Sequence, residues 1–204
     1  SFGTDTGSSV SAGAVSVNAS GTGGGANGDG AAGGNAVGGD ILVEANGGGT
    51  VALSQLTIDA SANSGGASSA SSGGNTARSG DAQGGTALLR TSNVSTLAIS
   101  TGLSIDVSGR AVSSENVGSG TGGGASLSAI ESSTISVGDA IDVTAFGGSQ
   151  SSAIPVVAGS GTGGTIDLLA NLSGTISASN YSLDARASVV NVSGTNGPAQ
   201  GGFI

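Results

Sequence analysis

Acidic side chains give this sequence its clearest chemical potential, because they recur at a fixed place. Asn18, Asp59, Asp106, Asp142 and Asp184 stand in the short alternating runs Val15-Ser16-Val17-Asn18, Leu56-Thr57-Ile58-Asp59, Leu103-Ser104-Ile105-Asp106, Ile141-Asp142-Val143 and Tyr181-Ser182-Leu183-Asp184. If such runs stack as neighbouring parallel strands, the polar groups lie ~5 Å apart. Like charges at that distance repel by about 1 kcal/mol in bulk water and by more near a protein surface. A solvated acidic stripe tolerates this and is the simplest expectation. A cation is another answer: calcium takes about 6–8 oxygen ligands, and Asp59, Asp106, Asp142 and Asp184 form a candidate calcium row with one carboxylate per repeat. Relief can also come from Arg186, two residues past Asp184 on the same face, from coupled titration, or from side-chain hydrogen bonds between repeats.

Composition removes most other chemistry. The 204 residues include no Cys, His, Met or Trp, and the four basic residues are Arg78, Arg90, Arg110 and Arg186, so Lys is missing too. Without His or Cys there is no Ser-His or Cys-His nucleophile system and no zinc or haem site of the usual kind. A net charge of −9 argues against nucleic-acid binding, which needs basic surface. No apolar run is long enough to span a bilayer. The Gly-Ala-Asn-Gly-Asp-Gly piece at residues 25–30 has the flavour of Gly-rich calcium nonapeptides but is not repeated in tandem. No pair of carboxylates stands out as a hydrolytic or lyase dyad, and the Thr/Ser column described next is one residue wide, too narrow for an ice-binding array. No catalytic or cofactor-binding residue is expected, and the chain is expected not to be an enzyme.

The elements that would hold the acidic row repeat five times. A Ser or Thr opens an alternating run at 9, 50, 96, 134 and 175, with spacings of 41, 46, 38 and 41 residues. Before each marker after the first comes another run, Ile41/Val43/Ala45, Ala87/Leu89/Thr91, Ala125/Leu127/Ala129 and Ile166/Leu168/Ala170, preceded by the pairs Gly38-Gly39, Gly84-Gly85, Gly122-Gly123 and Gly163-Gly164. Period-2 alternation places the apolar residues on one face of a strand. One repeat cannot bury that face, but stacked repeats bury all of it in one column. The expected fold is therefore all-β: a parallel β-solenoid, by expectation a right-handed β-helix, of about five coils, with three short strands and a Gly-rich excursion per coil. A twisted sandwich of short strands is the alternative. The expected inward ladders are Val10, Val51, Leu97, Ile135 and Ile176, and Val17, Ile58, Ile105, Ile141 and Leu183. Gly at the corners is expected to supply positive φ.

The excursions run over 21–39, 62–85, 109–124, 146–164 and 187–202, and later ones carry β-branched pieces such as Ile154-Pro155-Val156-Val157. Because one occurs in every repeat at the same place, they are expected to stack as a further side or as polyglycine-like rows; flexible surface loops are the alternative. In the same frame, Phe2 and Thr4 lie seven and five residues before the first marker, and Ile204 falls nine before a next one. The inward phase Ile204, Phe2, Thr4 runs on unbroken across that join. Residues 1–204 are thus expected to be a single tile, cut in mid-strand at both ends, that contacts its neighbours end to end through Phe2, Thr4, Phe203 and Ile204. A longer covalent array and separately stacked chains both satisfy this.

The runs Gly-Gly-Asp-Ile-Leu-Val-Glu-Ala at 38–45 and Leu-Thr-Ile-Asp-Ala-Ser-Ala at 56–62, with the Gly/Ala/Ser/Asn inserts between strands, resemble the passenger regions of filamentous haemagglutinin-like adhesins and autotransporters. The resemblance covers nearly the whole chain as a pattern of composition and period. It implies a right-handed β-helix outside a Gram-negative cell, secreted through the outer membrane and serving as an adhesin or surface fibre. The repeats here, at about 40 residues, are longer than the ~20-residue coils common in that family. Three functions follow as expectations: a structural section of an extracellular filament or adhesin stalk, with itself as partner; an adhesin passenger whose loops bind a cell surface or glycan; and a calcium-dependent binding module.

Overall fold

The computed structural model describes residues 2–4, 6–68, 77–113, 116–151, 159–190 and 198–204. Among them there is no helix, and every strand pair is parallel. Each repeat adds one level to each of four sheets, and a fifth, two-stranded sheet pairs Ala26–Asn27 with Ala67–Ser68. The first sheet stacks Phe2–Thr4, Asp40–Ala45, Thr86–Thr91, Gly124–Ile130 and Thr165–Asn171 in chain order. The second begins with the long strands Ser9–Asn18 and Thr50–Asp59. Later repeats cross it in two pieces: Thr96–Ile99 and Leu103–Asp106, Thr134–Val137 and Ala140–Thr144, Thr175–Ser177 and Asn180–Asp184. The two runs after each marker thus belong to one sheet. A phase break separates them: in the second repeat Leu53 and Leu56 are both buried, with Ser54 and Gln55 between them facing out.

The excursions build the other two sheets. Gly21–Thr22, Ala62–Asn63, Gly109–Ser113, Gly147–Ser151 and Ala187–Val190 form one, and Ala36–Val37, Ala82–Gln83, Gly120–Thr121, Gly161–Thr162 and Ala199–Gln200 the other. The expectation that the excursions stack therefore holds for these segments; the piece at 154–157 lies outside the described residues. Sheets carrying ordinary side chains pack ~10 Å apart. Here the closest approaches are made at Gly21, Gly109 and Gly147, and a Cβ on Gly109 would sit 2.0 Å from the Thr121 carbonyl oxygen. Small residues are what allow this thin second layer, whose buried seam includes Ala36, Ala62 and Ala82.

The main core fills the space between the first and second sheets. Val43, Leu89 and Leu127 from the first pack in one buried cluster with Val51, Leu97 and Ile135 from the second. The marker ladder forms as expected: Val10 pairs with Val51, Val51 with Leu97, Leu97 with Ile135 and Ile135 with Ile176. The second ladder needs one correction. Val17, Ile58 and Ile105 continue to Val143 and Leu183, whereas Ile141 stands with Val15, Leu56, Leu103 and Tyr181. A slip of two residues keeps the same face of a strand. Alternation alone is therefore blind to it, and the hydrogen-bond register decides.

The corner glycines also differ from expectation. None of the four Gly pairs has positive φ. They are required by close approach. In every repeat the second Gly donates its N–H to the residue leaving the second sheet, as in Gly85 to Ala60, Gly123 to Val107 and Gly164 to Ala145, each at 2.7 Å. This neck pinches off the excursion and leaves no room for a side chain.

Positive φ appears instead where the first sheet turns into the second. Gly47-Gly48, Asn93-Val94, Glu131-Ser132 and Leu172-Ser173 occupy that corner in successive repeats, all left-handed. The turn closes where Gly49 N–H donates to Asn46 O and Gly174 N–H to Asn171 O. Val94 is the costly occupant, with φ 62° and an exposed side chain. The left-handed region costs an L-residue about 1–2 kcal/mol, against about 0.5–1 kcal/mol for the extra chain entropy of glycine. Val94→Gly is expected to stabilise the protein by about 0.5–1 kcal/mol, read as a higher urea midpoint at unchanged m-value.

Candidate functional site

The acidic row forms the corner where the chain leaves the second sheet. By register it reads Asn18, Asp59, Asp106, Thr144, Asp184. Asp142 is not in it. That residue stands two positions earlier, between Ser104 and Ser182, while Thr144 takes the acidic station. The cause is the same two-residue slip that displaces Ile141.

The row makes turns. Asp59 Oδ1 accepts the Ser61 N–H at 3.0 Å and its hydroxyl at 2.6 Å. Asn18 Oδ1 accepts both donors of Ser20 at 2.9 Å. The Asp106 and Asp184 carboxylates accept the N–H groups of Ser108 and Arg186 at 2.9 and 3.0 Å. A side-chain oxygen bonded to the N–H two residues on is an Asx turn, which bends the backbone without help from other strands. Its signal lies within single repeats, in Asn18-Ala19-Ser20, Asp59-Ala60-Ser61 and Asp106-Val107-Ser108, whereas the spacing between repeats points only to a charged stripe.

The remaining oxygens are engaged as well. Asn18 Nδ2 donates to Asp59 Oδ2 at 3.3 Å across repeats. Arg110 Nη2 donates to Asp106 Oδ2 at 3.1 Å and to Ser108 Oγ at 3.0 Å. Arg186 donates to both oxygens of Asp184 at 2.8 Å. Only Asp59 and Asp106 are adjacent carboxylates in the row, and each has a donor of its own. Among the described residues no group of three or more His, Cys, Asp or Glu side chains could hold a metal ion. The candidate calcium row therefore loses Asp142, and Asp59, Asp106 and Asp184 act as corner pieces partnered by protein donors.

Arg186 holds the Asp184 carboxyl below the usual carboxylate range, first through its side-chain hydrogen bonds. Partial burial opposes this, and the Arg186 backbone N–H and charge add to it. A carboxyl with a depressed folded pKa lends stability that is present above its unfolded value and lost as pH falls through the folded one. The last repeat is therefore expected to loosen below about pH 4. Protection against amide exchange over 180–187, relative to the unstructured chain at the same pH, should fall there, and Asp184→Asn should weaken that acid dependence.

Two other features complete the surface. At the phase break of the second sheet, Ser11, Ala52, Ala98 and Ser136, with Ser54 and Ser100, line a shallow open groove along the stack. The marker row Ser9, Thr50, Thr96, Thr134, Thr175 runs beside it in register. Neither row contains a titratable group. Phe203 and Ile204 are about 71% and 73% exposed. Phe203 bridges to Thr165, while Phe2 and Thr4 pair through their backbones with Val43 and Ala45; the side chains of Phe2 and Thr4 lie outside the described set. Among the described residues no helix is long and apolar enough to cross a membrane. No protein-family model matches the chain, and no curated protein or solved structure is significantly similar to it.

Proposed function

We propose that this chain is a section of a parallel β-solenoid whose role is structural: a stiff segment of an extracellular bacterial surface filament or adhesin stalk. The observation that carries this reading is the unbroken register. One marker ladder runs from Ser9 through Thr50, Thr96 and Thr134 to Thr175 with a parallel partner at every level. Backbone hydrogen bonds between levels run along the stacking direction, so a pull along that axis loads many of them together. Each of the four arginines pairs with a carboxylate, and the acidic row shapes a corner; neither is given a catalytic role. The location outside a Gram-negative cell rests on the resemblance carried by residues 38–45 and 56–62.

Pulling the protein by its two ends in a force spectrometer tests the role. Repeats of 38 to 46 residues are expected to peel away with resistance in steps of roughly 130–165 Å. A chain that extends smoothly without force peaks cannot serve as a stalk.

A further inference from the structure

We propose that Asn46 is a self-modification site: its side-chain amide cyclises onto the backbone nitrogen of Gly47 to a succinimide, which water opens to aspartate or isoaspartate. The site lies at the corner where the first sheet turns into the second, and it does not depend on the stalk role. Three observations carry it.

The first is contact between the reacting groups. Gly47 N–H donates to Asn46 Oδ1 at 2.8 Å, so the attacking nitrogen is held against the amide it attacks. Such positioning removes much of the entropy cost of ring closure. Gly47 brings no side chain to shield that nitrogen, and its φ of 61° suits glycine without strain. Asn171 repeats the contact, accepting the Leu172 N–H at 2.7 Å, but there the nitrogen carries a leucine side chain beside it.

The second is a set of donors on the same oxygen. The Ser92 hydroxyl and Asn93 Nδ2, both from the next repeat, donate to Asn46 Oδ1 at 2.9 and 2.7 Å. When the nitrogen bonds to Asn46 Cγ, negative charge builds on Oδ1. Donors already aimed at that atom stabilise the charge as it develops.

The third is a contrast with Asn27-Gly28, the other Asn-Gly pair among the described residues. Asn27 is exposed and Asn46 is partly buried, so exposure alone favours Asn27. Yet the Gly28 N–H is turned to the neighbouring level, where it donates to Ser68 O at 2.9 Å. Asn27 Oδ1 accepts the Ser68 hydroxyl at 2.6 Å, one donor against the three on Asn46 Oδ1.

The step balances with water alone. Solvent hydroxide takes the Gly47 N–H proton, the nitrogen bonds to Asn46 Cγ, and the Cγ–Nδ2 bond breaks, with Nδ2 leaving as ammonia after protonation by water. Water then adds to one carbonyl of the ring and opens it. Nothing is oxidised or reduced.

The protein is held folded in mildly alkaline buffer, with a urea-unfolded sample in parallel, and both are peptide-mapped by mass spectrometry for amide-to-acid exchange. Each rate is taken relative to the same pair in urea, which cancels local sequence. Folded Asn46 is expected to exceed Asn27 by about threefold or more on that scale. Asn93→Gly keeps the left-handed turn and removes one donor, so it should slow Asn46 by about threefold or more. Ser92→Ala removes the second donor from a buried site and should act in the same direction; Asn93 is exposed, so its variant keeps the test open if Ser92→Ala does not fold. Folded Asn46 reacting no faster than Asn27 would overturn the proposal. So would a faster reaction in Asn93→Gly, which would make the donors a clamp that protects the amide.

Discussion

Gly122→Ala should cost about 3 kcal/mol or more, at the top of the range for forced overpacking. The added Cβ would lie 2.1 Å from the Ala145 carbonyl oxygen, 2.5 Å from the Gly164 nitrogen and 2.7 Å from the Ala145 carbonyl carbon. All three atoms are backbone, so no rotamer change relieves the clash. Two of them, the Gly164 nitrogen and the Ala145 oxygen, make the hydrogen bond that closes the neck of the next repeat. Opening the neck would break the bond and shift the levels above and below. The other first glycines behave alike: a Cβ on Gly38, Gly84 or Gly163 meets a carbonyl oxygen at 1.9, 1.8 or 1.9 Å. Gly24 is the control, because a methyl group there would meet nothing within 4 Å and its φ is not positive. Gly24→Ala should change stability by no more than about 0.5 kcal/mol or raise it slightly. Urea denaturation of the two variants decides; equal stabilities would mean that the Gly pairs are not tight necks.

The same glycines show what the sequence does and does not reveal. Their recurrence ahead of Asp40–Ala45, Thr86–Thr91, Gly124–Ile130 and Thr165–Asn171 is plain, and it locates the repeat boundary. Their reason is not, because composition cannot separate a need for positive φ from a need for space. The marker ladder is legible because Val, Leu and Ile alternate with Ser, Thr and Ala over several residues. Ile141 and Asp142 are misplaced by pattern alone because a slip of two preserves alternation. The second pair of sheets is legible only as recurrence, since two-residue strands such as Gly21–Thr22 and Ala36–Val37 are too short to show a period. Arg110 and Asp106 are four residues apart, yet no helix underlies their contact; a chain turning at Val107 and Ser108 brings the two together.

Leu127→Ala should destabilise the protein by about 2–5 kcal/mol, the range for emptying a well-packed core site. Leu168→Ala, one level along the same column, should cost only about 1 kcal/mol, the share of its transfer energy that burial has already secured. The two leucines are paired in register and differ in what covers them. Leu127 lies between Leu89 and Leu168 and is wholly buried, whereas Leu168 is 39% exposed. The contrast isolates stacking from residue type, sheet and station, all of which are shared. Urea denaturation of the two variants measures this contrast, and equal costs would show that the level stacked over Leu127 adds nothing to its burial.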